Sequence, residues 1–420
     1  MKEKFRVVEN PEIGELLTFK PNRNLPVYNW FHYKEGFSRD LVFMLLERFL
    51  RESKGAEKLV LDPFCGVGTT LLACREYTGI RGNRIINALG FDVLPISVFV
   101  SRVKLRDYDV KELETAAKRL FKLKFTKPAI NVPQFVRKYF SRFVLEDIVF
   151  FRERIREMES ERLRDFFLLG LMNASMKCSY AFKDGACVKL VKKNVAPLRE
   201  MFSRTVRKMI RDLKIFYAKA GEKKKCSTVV ERCDARMLKL EDEIVDFIIT
   251  SPPYLNKIEY TEIYRIEHAL FMEDVPLPAM RSFMGVREKT LHEDFGMIDE
   301  IFSQDFIPRI STPPANALPL GAKIYLKDLY LAVREMFRVC KPEAKVAIVL
   351  GDGLVRLDSG SNGETERYTV VDVLKCCAEI AEHVGFNVDR IVIANKRVAT
   401  TPRRHKIGIM REGIILAEKR

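Results

Sequence analysis

The chain has 420 residues, 47% of them hydrophobic, and a formal charge of +16 at neutral pH. No apolar run reaches the ~18 residues of a membrane span, and the opening MKEKFRVVENPEIGE lacks the apolar centre of a secretory signal; a soluble cytoplasmic protein is expected. Nine cysteines, an odd number without a C-x-x-C pair, argue against a disulfide framework and a zinc site, so no metal is expected.

In chain order, short apolar runs without period-2 alternation occur at 58–62 (KLVLD), 88–92 (ALGFD), 228–232 (TVVER), 245–250 (VDFIIT) and 345–350 (KVAIVL). Such runs mark strands covered on both faces. Helical periodicity occupies roughly 68–79, 94–104, 323–340 and 369–384 between them. This alternation predicts an α/β fold with a doubly wound, Rossmann-like sheet. Residues 387–394 and 405–418 read as a closing pair of longer strands, with NKRVATTPRR as the loop or turn between them. Residues 273–322 are Pro-rich and are expected to form long loops.

Between the second and third runs the pattern breaks. Residues 109–225 are mostly helical in character and are expected to form an inserted basic subdomain, dividing the chain into 1–108, 109–225 and 226–420. Residues 111–225 hold 29 basic and 13 acidic side chains, which leaves 44 of each for the remainder. An excess confined to one segment points to a polyanion partner. Within LREMFSRTVRKMIRDLKIFYAKA, Arg204, Lys208, Arg211 and Lys219 recur at helical spacing among apolar residues, so Arg204, Lys208 and Arg211 are candidate nucleic-acid contacts.

The first strand runs into DPFCGVGTT (62–70). A Gly-rich turn lets the backbone approach a ligand, and the helix that follows offers free N–H groups. The second strand ends in Asp92, where a carboxylate can take both hydroxyls of a ribose. Asp234 follows the third strand, where it could meet an adenine amino group. The fourth strand leaves the core as TSPPY (250–254).

DPFCGVGTT followed by TSPPY resembles the S-adenosylmethionine-dependent methyltransferases that act on cytosine N4 or adenine N6 in nucleic acids. The likeness covers the α/β portion and not the insert. It implies a class I methyltransferase sheet and S-adenosyl-L-methionine as cofactor. By the same likeness Asp62, Phe64, Gly66 and Gly68 would line the methionine and ribose side, and Thr69 would begin the helix beneath. Asp92 would hold the ribose and Asp234 the adenine. NWFHYKEGFSRDLV (29–42) is similar to the element beside the methionine end, which brings in Trp30 and Phe31.

The amino group of cytosine is a weak nucleophile because its lone pair is delocalised into the ring. The Ser251 hydroxyl and the Pro252 carbonyl could accept its two N–H bonds. Pro252 and Pro253 would fix the backbone, and Tyr254 would stack on a base turned out of its helix. Arg265 and His268 fall on a helix after this loop, where they could touch phosphate or base. Ring-carbon methylation needs a P-C-Q triplet, and none is present. Protein glutamine methyltransferases use similar chemistry but carry Asn where Ser251 stands. Asp352 in VLGDG fits a turn residue. The whole chain is similar to archaeal proteins labelled DNA modification methylases or ribosomal-RNA cytidine N4 methyltransferases. Cytosine is expected over adenine, and RNA over DNA, with DNA as the alternative.

Overall fold

The computed structural model describes residues 4–33, 35–81, 84–184, 187–220, 226–255, 260–276, 284, 295–302, 319–356, 368–400 and 406–420. Its strands are β1 (Val7–Glu9), β2 (Glu57–Asp62), β3 (Ile85–Asp92), β4 (Ala181–Asp184), β5 (Cys187–Leu190) and β6 (Thr228–Arg232). They continue as β7 (Val245–Thr250), β8 (Cys340–Gly351), β9 (Gly353–Arg356), β10 (Tyr368–Val371), β11 (Phe386–Thr400) and β12 (Lys406–Lys419).

Eight of these strands form one sheet in the order β1-β11-β12-β8-β7-β2-β3-β6. The run from β8 to β6 is parallel, and β12 enters antiparallel between β8 and β11. This is the strand order of class I methyltransferases, as expected. The direction of winding reverses between β2 and β7, and a ligand crevice opens at the carboxyl ends beside such a switch point.

The central strands read as apolar runs because both faces are covered. Val245, Phe247, Ile248 and Ile249 of β7 are each at most 1% exposed. One face carries the helices Leu320–Val339 and Val373–Val384. The other carries Arg39–Arg51, Thr69–Arg81 and Pro95–Leu105, and the apolar cluster beneath them continues into the insert. Phe151, Phe166, Phe167 and Phe202, all fully buried, belong to that same cluster. The insert is thus a further helical layer over one face of the sheet, and shares its core.

Two departures from the sequence expectations have local causes. Residues 109–225 also contain the hairpin β4–β5, whose four-residue strands are too short to set a period. β11 runs on through NKRVAT, in register with β12 from Lys396 opposite Arg411 to Val398 opposite Ile409, so the backbone ladder overrides a turn-like composition. Residues 401–405 lie outside the described residues, as does most of 273–322, although the short helix Gly296–Ile301 is described there.

Candidate active site

The carboxyl edge of the sheet is organised by Asp62, the last residue of β2, which is 2% exposed. Its Oδ1 accepts from Thr250 Oγ1 at 2.7 Å and from the Phe64 amide at 3.2 Å, and its Oδ2 accepts from Thr70 Oγ1 at 2.5 Å. Thr250 immediately precedes Ser251, and Thr70 lies in the first turn of the helix Thr69–Arg81. One carboxylate therefore locks the Gly-rich turn to the start of the SPPY loop. Burial raises its pKa to about 6, against the opposing pull of these three hydrogen bonds.

The turn itself needs glycine at two places. Gly66 and Gly68 have φ of 50° and 78°, a region that side-chain-bearing residues avoid. A Cβ on Gly66 would stand 3.0 Å from the Tyr33 ring, and one on Gly68 would stand 2.9 Å from Ser101 Oγ. Ser101 donates to the Gly66 carbonyl at 2.8 Å, and the buried Lys104 donates to the Val67 carbonyl at 3.2 Å. Desolvation lowers the Lys104 pKa to about 7. Phe64 is partly buried against the core of the opposite face, and Thr69 is buried.

Asp92, at the end of β3, accepts from the Gly66 amide at 3.0 Å through Oδ2 and from the Leu94 amide at 2.8 Å through Oδ1. Desolvation raises its pKa to about 7, and the nearby Asp62 adds to the rise. Among the described residues no cation pairs with Asp62 or Asp92. Asp234 differs: both of its oxygens accept from the Arg236 side chain at 2.7–3.2 Å, and Arg236 reaches on to Asp328 at 2.6 Å.

Of the aromatic residues in the N-terminal stretch, Tyr33 meets the turn. Its ring stacks on Tyr264 at 5.6 Å and 6°, and on Tyr260 at 6.2 Å and 21°. Phe31 is buried beside Tyr264, with centroids 5.7 Å apart. Trp30 was expected beside the cofactor, but the structure commits it to the core. Its ring sits edge-on to Phe166 at 5.5 Å, and Nε1 donates to Asp212 at 3.2 Å. Tyr33 falls within the motif that pointed to Trp30, but nothing in the sequence ranks one ring above the other.

In the SPPY loop the Tyr325 hydroxyl donates to the Pro253 carbonyl at 2.9 Å, and Pro252 is buried. The Tyr254 hydroxyl donates to Glu412 Oε1 at 2.9 Å. Ser251 stays partly exposed at the sheet edge. Asp352 is a structural residue, accepting the Arg411 amide at 2.8 Å and its Nε at 3.0 Å.

The basic candidates divide. On the helix Leu198–Ala220, Arg204, Arg207, Arg211, Lys214 and Lys219 are exposed. Arg204 leans on Glu200, and Lys214 reaches Glu114 at 2.7 Å. Lys208 instead ties the helix to the N-terminal element, donating to Asn29 Oδ1 at 2.7 Å and Asp212 Oδ2 at 2.5 Å. Arg265 contacts Glu262 at 2.6 Å and the Tyr139 hydroxyl at 3.3 Å, and lies over Phe135. These contacts make Lys208 and Arg265 poorer candidates than their exposed neighbours. Among the described residues no cluster of His, Cys, Asp and Glu could hold a metal ion, and no helix is long and apolar enough to cross a membrane.

No family model matches the chain. The type II methyltransferase M.BsoBI of Geobacillus stearothermophilus is 25% identical over 94% of this chain and 86% of its own. The type II methyltransferase M.AvaI of Nostoc sp. is 24% identical over 93% of this chain and 85% of its own. A shorter match, 34% identical over 24% of this chain and 17% of the relative, is to the type II methyltransferase M.MjaII of Methanocaldococcus jannaschii. Among solved structures, a SAM-dependent methyltransferase from Methanosarcina mazei covers 88% of this chain and 96% of its own at 13% identity. Its TM-score of 0.28 is too low to add to what the strand order shows. The expected preference for ribosomal RNA finds no support in these relatives, and the DNA alternative fits them better.

Proposed function

We propose that the protein is an S-adenosyl-L-methionine-dependent methyltransferase that modifies the exocyclic N4 of cytosine in DNA. The observation that carries this is the Thr70–Asp62–Thr250 bridge, which holds a cofactor-type Gly-rich turn against a loop built to grip an amino group. Nearly whole-length likeness to proteins named type II methyltransferases, the class that acts on DNA, supports the choice of DNA. The Ser-Pro-Pro-Tyr sequence supports cytosine over adenine.

The residues at the edge suit this cofactor chemically. Asp62 is buried and Asp92 half-buried, and desolvation pushes both carboxyl pKa values up against the pull of the neutral donors that hold them. A cationic ligand carrying hydroxyls would relieve that cost through charge and hydrogen bonds together. When bound, the cofactor supplies a methyl group on a positively charged sulfur. Asp92 accepts ribose hydroxyls, and Tyr33 walls the turn from the side. Ser251 and the Pro252 carbonyl accept the two N–H bonds of the target amine, drawing its lone pair out of the ring. The Tyr254 ring offers a face to the extruded base.

The test is tritiated methyl transfer from S-adenosyl-L-methionine to unmethylated amplified DNA and, separately, to ribosomal RNA. Label in DNA is expected; label in RNA alone would overturn the choice of substrate.

Cofactor affinity should depend on pH in a defined direction. Asp92 with a pKa of about 7 is partly protonated at and below neutrality and must ionise to serve a cationic partner. Affinity should therefore rise as pH increases from 6 to 8, up to about tenfold per unit below the pKa, and then level off. Isothermal calorimetry on Asp92→Asn should show weaker binding with that slope flattened. A slope as steep as wild type would place the titrating group elsewhere.

DNA affinity should fall steeply with salt, because phosphate neutralisation releases counterions. Reversing Arg204, Arg207 and Arg211 to Glu should weaken DNA binding and reduce the log–log salt slope by roughly the number of phosphate contacts removed. An unchanged slope would make this helix structural only.

A further inference from the structure

β11 and β12 are longer than the sheet they close. β8 ends at Gly351, opposite Glu412 of β12, and Tyr254 of the SPPY loop donates to Glu412 at 2.9 Å. β12 runs antiparallel to β8, so Lys406–Arg411 lie past its carboxyl end, on the side where the SPPY loop leaves β7. β11 pairs with this extension as far as Thr400 opposite Lys406. At about 3.4 Å per residue, the two strands form a ribbon reaching roughly 20 Å beyond β8, beside the SPPY loop.

A two-stranded ribbon is marginal in water by itself, and this one is braced on one face. Ala399 and Met410 are 3% and 8% exposed, and a Cβ on Gly408 would stand 3.4 Å from Val370 Cγ2 in β10. The opposite face carries an open apolar pair. Val398 and Ile409 face each other across the strands and are 54% and 60% exposed. Arg397 and Lys406 are exposed as well, and among the described residues neither has an acidic partner.

We propose that this ribbon enters the major groove of duplex DNA next to the extruded cytosine, with Arg397 and Lys406 on phosphates and the Val398–Ile409 pair against base edges. The proposal rests on the DNA methyl transfer inferred above. Three properties select this partner. The major groove of B-DNA, about 12 Å wide, admits a two-stranded ribbon, whereas the deep, narrow major groove of an RNA duplex does not. Unpaired cations suit phosphates, which carry one negative charge per ~1.7 Å of duplex. Apolar side chains in that groove can tell thymine, through its methyl group, from the other bases. The ribbon therefore reads the bases that flank the target, and the SPPY loop handles the target itself.

Two double variants separate charge from base reading, and both change only exposed side chains. Arg397→Ala with Lys406→Ala should lower the log–log salt slope of duplex binding by about 1.8, at roughly 0.9 per phosphate contact. Cofactor affinity and melting temperature should not move. The charge-preserving pair Arg397→Lys with Lys406→Arg should keep the wild-type slope. Val398→Thr with Ile409→Thr keeps β-branched side chains in the strands but makes the apolar pair polar. On unmethylated amplified DNA, mapped by sequencing of modified bases, it should methylate a wider set of sequences. Preference for the favoured site over the next best should fall roughly tenfold, the scale of one lost base contact.

An unchanged slope in the alanine pair, a slope lost in the charge-preserving pair too, or an unchanged set of methylated sequences would each overturn the proposal. A wild-type enzyme that transfers no methyl to DNA would instead overturn the reading on which it rests.

Discussion

Ser251→Ala is expected to lower single-turnover methyl transfer roughly 10²–10³-fold, because one preorganised acceptor at the reacting centre is typically worth about 2–4 kcal/mol. The loss should appear in the chemical step. Ser251 is partly exposed at the sheet edge, and its removal leaves the Asp62 bridge and the bond from Tyr325 to Pro253 in place. Cofactor affinity should therefore change little. Thermal stability should also hold, since neither partner of a buried pair is orphaned. A Ser251→Ala enzyme with full turnover would reduce TSPPY to a strand terminus. Tyr254→Phe should keep most of the turnover, since the ring face is kept and only the bond from the hydroxyl to Glu412 is lost.

Asp62→Asn should move stability and cofactor affinity in opposite directions. The folded-state pKa of Asp62 is raised from 3.8 to about 6. A carboxyl raised in this way favours the fold most below its unfolded pKa, and that benefit is lost as pH rises through 6. At pH 7.5 the ionised, buried Asp62 therefore costs up to about 3 kcal/mol relative to a group that does not titrate. An amide keeps the acceptor for Thr250 and the Phe64 amide, while Thr70 can turn towards the Ile249 carbonyl, 3.5 Å away. Asp62→Asn should thus match or exceed wild-type stability in urea unfolding at pH 7.5, with the advantage shrinking as pH falls through 6 and vanishing below 3.8. Cofactor binding should weaken roughly tenfold to a hundredfold, the range for losing one charge-assisted interaction. A variant destabilised by several kcal/mol at pH 7.5 would mean that the carboxylate is held by more than the neutral groups around it.

Much of the fold was legible in the sequence because a parallel sheet covered on both faces leaves unbroken apolar runs. VDFIIT coincides with β7, and TVVER with β6. The two motifs were legible for the same reason, since each sits where such a run stops. Their closeness in space follows from β2 and β7 being neighbours, which is a matter of topology and not of local sequence.

What stayed hidden depends on tertiary partners. Trp30 and Tyr33 lie three positions apart in one stretch, yet one ring enters the core against Phe166 and the other faces Gly66. Lys208 has the spacing of an exposed cation, but Asp212 is buried with Trp30 on one side and draws Lys208 inward. Arg207 was the better choice one residue earlier, and only the packing of the helix reveals it. Glu412 has no sequence signature that would connect it with Tyr254, whose hydroxyl it accepts at 2.9 Å.

The central claim is that the methyl group goes to an exocyclic nitrogen of cytosine held by the SPPY loop. The most direct measurement is mass spectrometry of nucleosides digested from unmethylated DNA after incubation with the enzyme and methyl-deuterated S-adenosyl-L-methionine. Deuterated N4-methylcytosine, abolished in parallel by Ser251→Ala, is the predicted result. Deuterated 5-methylcytosine or N6-methyladenine, or DNA without label, would contradict it.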